Sequence, residues 1–254
     1  MKALASDFDG TLHFVDEEHK GYFKKEDLDA IQTFQKEGNL FGLCTGRPLL
    51  GFEGDLEGGP SLDFIIASTG GIVTTMENNE PKTLYEETIT YQQVADIQEL
   101  CEGRGNLYIH ADGRVYTLYT RKLGYDSQTV LSDVKELDGK HITAISVWTP
   151  SLEEAALLTD DINQTFKGTI DAYQNQNWLD VIHYGVSKGK GALKLKDATN
   201  IDIIAGIGDS FNDIPLLEKV DVSFTFHSSD DRVKEKADYI VDTVAEALDI
   251  LNEM

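Results

Sequence analysis

Short apolar runs that end abruptly in small and acidic residues constrain the fold of this chain more than any other feature. Residues 3–5, 40–44 and 203–207 are three such runs, and their length is typical of buried strands. A segment with apolar residues at helical spacing, residues 25–38, follows the first run and ends near a glycine. Strands that alternate with helices predict right-handed crossovers, and therefore a doubly wound, Rossmann-like α/β core with a parallel sheet.

Two carboxylates follow the first run directly. Asp7 and Asp9 are two positions apart, so they share one side of an extended segment, and Gly10 permits a sharp turn behind them. Open α/β sheets place their chemistry at the carboxyl ends of strands, where one carboxylate can attack or bind a metal while another moves a proton. A calcium loop is excluded, because no acidic residues at loop spacing and no closing glutamate follow Thr11.

Three further segments carry the residue types of a phosphate-handling site. The second apolar run ends in residues 45–48 (TGRP), the third ends in residues 208–213 (GDSFND), and a predicted helix opens at residues 185–191 with two lysines. Each segment alone has a simpler interpretation: a strand-exit turn, a helix N-cap with a first-turn acid, or a solvated lysine. Their common position at strand ends and at a helix start favours a single site.

In this order, the four segments resemble the motifs of the haloacid dehalogenase superfamily of phosphatases. The layout of the whole chain is most similar to the sugar-phosphatase branch, in which a large cap lies between the second and third motifs. The resemblance implies that Asp7 is the nucleophile and that Asp9 moves the proton. It also implies an oxygen-only site for magnesium, formed by Asp7, by Asp9 through its backbone carbonyl, and by Asp209.

The resemblance also assigns roles around the phosphoryl group. The residues implied to bind phosphate or substrate are Thr45, Gly46, Arg47, Lys188 and Asn212. Lys188 matches the Lys-Gly step of the family, although Lys190 competes with it for the same role. Asp213 is implied to orient Lys188 or a metal-bound water. One step departs from the family: residues 68–71 read Ser-Thr-Gly-Gly where Asn-Gly-Ala is usual, and this departure bears on hinge geometry and leaving-group contacts.

The pattern of apolar runs and turn residues changes between residues 81 and 183. Short apolar runs there flank turn signals such as the Asp112-Gly113 pair, which predicts a hairpin. Antiparallel strands with helices on one face predict an α+β cap domain at residues 81–183, inserted into a core domain of residues 1–80 and 184–254. In the core, residues 13–25 are expected to form a loop. The insert residues interpreted as core or rim positions, and not as substrate contacts, are His110, Trp178 and His183.

Composition limits the partners and the setting. The formal net charge of −23 argues against a nucleic-acid surface and against binding to anionic lipid. A phosphorylated substrate remains compatible with this charge, because charges beyond about 8 Å are screened at physiological salt. Cys44 and Cys101 are far apart without metal spacing, no apolar stretch has the length of a membrane span, and the N-terminus lacks a signal-peptide pattern. A reducing cytoplasm is therefore the expected location.

These features together predict a magnesium-dependent phosphatase that hydrolyses a small phosphomonoester through an aspartyl-phosphate intermediate. A sugar phosphate is the leading substrate class and a phosphorylated cofactor is the second; no nucleic-acid or membrane partner is expected. Two alternatives stay open, a phosphomutase acting on sugar phosphates and a phosphate-binding regulator without turnover. The sequence leaves the oligomeric state open.

Overall fold

A computed structural model describes residues 1–52, 54–77, 80–118 and 128–254, and it arranges most of their strands in two sheets. The strands are β1 (Lys2–Ser6), β2 (His13–Val15), β3 (Gly21–Phe23), β4 (Leu40–Cys44), β5 (Phe64–Ala67), β6 (Ile72–Glu77), β7 (Glu80–Glu86), β8 (Asn106–Ala111), β9 (Arg114–Thr117), β10 (Gln128–Val130), β11 (Ile142–Trp148), β12 (Ile170–Asn175), β13 (Trp178–His183), β14 (Ile203–Ile207), β15 (Val222–Phe226) and β16 (Tyr239–Val241). The helices are α1 (Lys25–Lys36), α2 (Tyr91–Leu100), α3 (Leu152–Thr165), α4 (Lys188–Ala198), α5 (Ile214–Leu217), α6 (Asp231–Lys234) and α7 (Val244–Glu253).

The larger sheet has eight strands in the order β16-β15-β14-β1-β4-β5-β6-β7. Its pairs from β16 to β5 are parallel, and this confirms the predicted α/β fold with a parallel sheet. β6 and β7 extend the sheet as an antiparallel pair that was not expected from the sequence. The reason is physical: β7 is largely exposed, so it carries no apolar run that would mark it as a strand.

Helices cover both faces of this sheet because successive residues of its strands point to opposite faces. On the first strand, Leu4 belongs to the cluster that contains Ile31 of α1 and Leu251 of α7. Its neighbour Ala3 belongs to the cluster that contains Leu195 of α4. The doubly wound arrangement therefore buries the central strands on both sides and leaves only their ends open for chemistry.

The smaller sheet has six strands in the order β10-β9-β8-β11-β13-β12 and carries α2 and α3 against one face. Its β8–β9 connection is the predicted hairpin, with Asp112 at φ 50° and Gly113 at φ 73°, the left-handed values that a tight hairpin turn needs. All strands of this sheet lie between residues 106 and 183. The division into a core of 1–80 with 184–254 and a cap of 81–183 stays a prediction, and β7 runs across its first boundary within the larger sheet.

Residues 13–25, expected to be a loop, contain the short antiparallel pair β2–β3. Its first residue, His13, is buried and stacks on Phe8 at 4.9 Å between ring centroids. Strands of three residues give too little pattern to be predicted from alternation. Elsewhere, Cys44 and Cys101 are both buried free thiols. Within the described ranges, no helix has both the length and the apolar character needed to cross a membrane.

Candidate active site

Three neighbouring strands end side by side and bring the predicted motifs together. β1 lies between β4 and β14, and its last residue, Ser6, is in register with Leu43 on one side and Ile207 on the other. Asp7, Thr45 and Asp209 lie just beyond these strand ends. The Asp7 amide continues the ladder by donating to the Ile207 carbonyl at 2.9 Å. The sequence thus builds the site at the carboxyl edge of the sheet, as expected for open α/β folds.

The turn after Asp7 depends on a glycine. Gly10 has φ 82°, and a Cβ there would lie 3.2 Å from Asp209 Oδ2, so both the backbone conformation and the space favour glycine. The next residue, Thr11, is buried and donates its hydroxyl to Asp209 Oδ1 at 2.8 Å. The first motif is therefore fastened to the motif that follows β14.

Lys188 forms the centre of the charged site. It is the first residue of α4, whose start is capped by Ser187 accepting from the Lys190 amide. The Lys188 ammonium donates to Asp7 Oδ1 and to Asp213 Oδ1, each at 2.6 Å, and the side chain is fully buried. Burial alone would lower the pKa of Lys188, but Asp213 and Asp7 raise it well above its usual range. The ammonium of Lys190 lies instead near Gly185.

Three carboxylates crowd the same place. Oxygen atoms of Asp7, Asp209 and Asp213 lie within 4.8 Å of one another. Burial, and next the charge of Asp213, raise the pKa of Asp7 well above its usual range. The same two causes raise the pKa of Asp209 to about 6. One lysine does not balance three carboxylates, so this oxygen-only donor set is suited to a hard divalent cation such as Mg²⁺.

Asp213 also has a second task in the cluster. Its Oδ2 accepts from the amides of Asp209 and Ser210 at 3.1 and 3.0 Å, while its Oδ1 binds Lys188. Because both oxygens of this carboxylate accept hydrogen bonds, Asp213 joins Lys188 to the backbone at residues 209–210. Asp213 thus contacts Lys188 directly, and its role in orienting Lys188 or a metal-bound water stays a prediction.

Asp9 faces a different partner. The Arg47 guanidinium donates two hydrogen bonds to the Asp9 carboxylate, from Nε to Oδ2 at 2.8 Å and from Nη2 to Oδ1 at 2.5 Å. Arg47 Nη1 donates in addition to Asp55 Oδ2 at 2.5 Å. Arg47 also lies over the Phe8 ring, 5.0 Å from the centroid. Asp9 and Arg47 thus both reach the site, but in this structure they are bound to each other.

The remaining predicted residues surround the same space. Thr45 and Asn212 are buried, at 1% and 3% exposure, and among the described residues the Asn212 Oδ1 atom has no hydrogen-bond partner. A Cβ on Gly46 would lie 3.0 Å from Asp180 Oδ2, so a side chain there would collide with the smaller sheet. The Thr45 hydroxyl accepts from the Arg47 amide at 3.2 Å. Together these residues line or border one cavity.

That cavity, of about 320 Å³, lies between the strand ends and the smaller sheet. Residues of the larger sheet's motifs line one side of it, namely Asp7, Asp9, Thr45, Gly46, Arg47, Asp209 and Asn212. The smaller sheet contributes Tyr108, His110, Ser146, Asn175, Trp178 and Asp180. Of these, His110 and Trp178 were predicted to be core or rim positions, and Asp180 was not among the predicted site residues.

A signal for the cavity face existed in the alternation along the strands. In β13, Leu179 and Val181 belong to the apolar cluster under the helices, so Trp178 and Asp180 must point the other way. In β11, Ser146 faces that same side, because it is paired in register with Asp180. Alternation assigns each residue to one face of the sheet, but it does not tell which part of the protein packs against that face.

Polar side chains on this face form a buried chain of hydrogen bonds. Asp180 accepts from Ser146 at 3.1 Å and from Thr69, in the turn that follows β5, at 2.9 Å. His110 contacts the Ser146 hydroxyl through Nε2 at 3.3 Å and the Ser68 hydroxyl through Nδ1 at 3.4 Å. Burial lowers the pKa of His110 to about 4 and raises the pKa of Asp180. The chain joins the two sheets at the cavity.

A family model described as haloacid dehalogenase-like hydrolase matches residues 4–249. The chain belongs to that family. Full-length relatives within the haloacid dehalogenase-like hydrolases include a phosphoglycolate phosphatase of Methanopyrus kandleri, 26% identical over 94% of this chain and 90% of its own length. Another is the 5-amino-6-(5-phospho-D-ribitylamino)uracil phosphatase YwtE of Bacillus subtilis, 23% identical over 94% of this chain and 92% of its own.

Solved structures of haloacid dehalogenase-like hydrolases share the fold over the entire chain. The subclass IIB sugar phosphatase BT4131 has a TM-score of 0.79 at 20% identity, and the two chains cover each other completely. A haloacid dehalogenase-like hydrolase from B. subtilis has a TM-score of 0.82 at 18% identity, again with complete coverage of both chains. The predicted resemblance to this superfamily is confirmed, and the chain is a hydrolase of the phosphatase type. The likeness to the sugar phosphatase BT4131 is a likeness of fold.

Proposed function

We propose that this protein is a magnesium-dependent phosphatase that hydrolyses a small phosphomonoester through an aspartyl-phosphate on Asp7. The observation that carries the proposal is the position of Asp7, at the end of the central strand, bound to the buried Lys188 and facing the cavity. A carboxylate held in place by a cation is aligned for attack at the end of a cavity that admits a substrate.

In the first half-reaction, an Asp7 oxygen forms a bond to phosphorus while the bond from phosphorus to the ester oxygen breaks. Asp9 in its acid form donates a proton to that leaving oxygen. In the second half, the Asp9 carboxylate takes a proton from water, and the hydroxide attacks phosphorus. Inorganic phosphate leaves and Asp7 returns as a carboxylate.

This role requires Asp9 to exchange its partner. Its carboxylate is bound by Arg47 here, so it must release the guanidinium before it takes up a proton. The released guanidinium is then available to the phosphoryl oxygens, whose geometry matches its planar donors. Asp55 keeps one end of Arg47 in place during the exchange.

The phosphoryl group is held by residues of three motifs. The Thr45 hydroxyl, the Gly46 amide and the Asn212 side chain supply hydrogen bonds, and Lys188 offsets negative charge in the transition state. Asp7, Asp209 and the backbone carbonyl of Asp9 would hold Mg²⁺, with Asp213 in support. When bound, the ion supplies positive charge that neutralises the phosphoryl oxygens.

A cavity of about 320 Å³ closed on one side by the smaller sheet favours a small substrate. Its cap side combines an aromatic pair, Tyr108 and Trp178, with the polar side chains of Ser146 and Asn175. A sugar phosphate or a phosphorylated cofactor has both apolar faces and hydrogen-bonding groups. The two named relatives act on unlike phosphate esters, so their names do not choose between these classes.

The test is a panel of phosphorylated metabolites together with p-nitrophenyl phosphate, scored for inorganic phosphate with magnesium and with a chelator. We expect release with magnesium only, and preference for one or a few small esters. An isomerised sugar phosphate without free phosphate would replace the proposal by a phosphomutase. Binding of phosphate without turnover of any ester would replace it by a regulator.

A further inference from the structure

The turn that follows β5 holds an unusual backbone conformation. Ser68 and Thr69 have φ values of 48° and 55°, and Gly70 continues at 96°. Left-handed conformations are uncommon outside glycine, and for a β-branched residue such as Thr69 they are true outliers. Such a turn persists only when the surrounding structure holds it, and two consecutive non-glycine residues need more support than one.

This strained turn carries the loop that is proposed to bind phosphate. The Ser68 amide donates to the Arg47 carbonyl at 2.8 Å, and the Thr69 amide donates to the Thr45 carbonyl at 3.0 Å. Both amides therefore fix the path of residues 45–47. A shift in the turn would move Thr45 and the Gly46 amide with it.

The side chains of the turn are held from the opposite sheet. Thr69 Oγ1 donates to Asp180 Oδ2 at 2.9 Å, and Ser68 Oγ accepts from Thr143 Oγ1 at 2.9 Å. Asp180 is 5% exposed, and its Oδ2 also lies 3.5 Å from Asn212 Nδ2. One carboxylate oxygen from the smaller sheet thus touches the strained turn and a second residue of the phosphate site.

We propose that Asp180 is a positioning residue: its carboxylate holds Thr69 in the left-handed conformation and so places the Thr45–Arg47 loop for the phosphoryl group. The inference deepens the proposed function and rests on it, because it takes residues 45–47 as the phosphate-binding loop. The arrangement makes the loop depend on the smaller sheet. When Asp180 and Thr69 are apart, the strain of the turn is no longer opposed, and the loop loses its fixed position.

The strain provides a specific test, because a glycine at position 69 adopts φ 55° without cost. Four proteins form a double-mutant cycle: the parent, Asp180→Ala, Thr69→Gly and the combination. Hydrogen–deuterium exchange is followed in the peptides that contain the Ser68 and Thr69 amides. We expect Asp180→Ala to speed exchange there by about tenfold, the effect of one buried hydrogen bond of roughly 1.4 kcal/mol. In the Thr69→Gly background, the same substitution should have a clearly smaller effect.

Affinity for inorganic phosphate, measured by calorimetry with magnesium, gives a second readout. Asp180→Ala should weaken it in the parent background and much less in the Thr69→Gly background. Asp180→Asn keeps an acceptor for the Thr69 hydroxyl and a donor for Ser146, so it should restore most of the affinity. If Asp180→Ala does not fold, Thr69→Val removes the same hydrogen bond at nearly constant shape and must show the same faster exchange.

Two results would overturn the positioning role. Equal losses from Asp180→Ala in both backgrounds would mean that Asp180 contacts the ligand itself or acts only on general stability. Unchanged exchange at Ser68 and Thr69 would mean that the turn holds its conformation without the smaller sheet. Failure of the proposed function looks different: a parent protein that releases phosphate from no ester, yet shows the exchange pattern above, would support the positioning role alone.

Discussion

The Lys188 ammonium lies 2.6 Å from Asp7 Oδ1, although the two residues are 181 positions apart in the chain. The lysine side chain is fully buried, and the aspartate side chain is 10% exposed. Burying a charge without a partner costs a large desolvation free energy, so each residue lowers the cost of burying the other. The same contact that permits burial also holds the Asp7 carboxylate at the end of its strand.

Replacing this lysine should damage both stability and activity. Lys188→Met leaves Asp7 and Asp213 without their shared cation, and breaking a buried ion pair costs about 3–5 kcal/mol. We expect a loss of that order in urea denaturation and no measurable turnover. Lys190→Met is the matched control, because that half-buried lysine makes no such pair with any residue that the structure describes, and it should change the unfolding free energy by less than about 0.5 kcal/mol. The reverse ranking would transfer the role to Lys190.

Asp7→Asn separates chemistry from folding. The swap is nearly isosteric, and the amide oxygen still accepts from Lys188, so the thermal unfolding temperature should stay close to that of the parent. Turnover should fall by at least about a thousandfold, because an amide is not a nucleophile toward phosphorus. Asp29→Asn, an exposed change on α1, serves as the control. Residual activity within about tenfold of the parent, a barrier change of roughly 1.4 kcal/mol, would remove Asp7 from the nucleophilic role.

Magnesium should stabilise the protein as well as activate it. The carboxylates of Asp7, Asp209 and Asp213 repel one another, and a bound cation relieves that repulsion. At a magnesium concentration near one hundred times Kd, the gain in unfolding free energy should be about 2.7 kcal/mol. Asp209→Asn removes one charge and should reduce this gain. Full activity after exhaustive chelation, with no divalent ion detected by elemental analysis, would contradict the metal assignment.

Local patterns in the sequence were enough to predict the strand ends and the residues beyond them. Asp7 and Asp209 each follow a short apolar run, and neighbouring parallel strands end at one edge, so their meeting follows from topology. The same reasoning does not reach the antiparallel strand β7, because an exposed strand lacks an apolar run. Strands are therefore predictable from the sequence where burial requires a run of apolar residues.

Contacts between distant polar residues were not predictable in this way. Nothing near Asp9 indicates that Arg47 would grip its carboxylate, because that pairing depends on the path of the loop after β4. Asp180 is a clearer case. Antiparallel strands were predicted for its part of the chain and alternation fixes its side within β13, but its contact with Thr69 depends on how the two sheets lie against each other. That placement is set by packing across the whole molecule.

His110 should make stability depend on pH. Its pKa is about 4 in the folded protein, because the side chain is buried, against roughly 6.5 when unfolded. Between these values the unfolded chain binds more protons, so stability falls as the pH is lowered. Urea denaturation at pH 7 and pH 5 should show a loss of about 2 kcal/mol in the parent that His110→Gln does not share.

The comparison with the variant is needed because Asp180, linked through Ser146, titrates in the opposite sense. Burial raises the pKa of Asp180, so its contribution to stability falls as pH rises. This contribution is present in both the parent and His110→Gln, so it cancels when their pH dependences are subtracted. His227→Gln, a change at an exposed histidine, is the control and should leave the pH dependence of the parent intact. Identical pH dependence in parent and His110→Gln would show that His110 is not held neutral by burial.

Trp178 should contact the leaving group and contribute to substrate selectivity without taking part in phosphoryl transfer. It lines the cavity from the smaller sheet and packs against Tyr108, with 5.4 Å between ring centroids. Trp178→Ala should lower kcat/KM for the best metabolite of the panel by about tenfold, because a ring contact of roughly 1.4 kcal/mol is lost. For acetyl phosphate the change should stay below about threefold, since contacts beyond the phosphoryl group assist only substrates that reach them. Tyr239→Ala, at the far edge of the larger sheet, should alter neither rate. Equal losses for both substrates would mean that the ring supports the catalytic scaffold, and an unchanged ratio with unchanged rates would mean that the ring does not read the substrate.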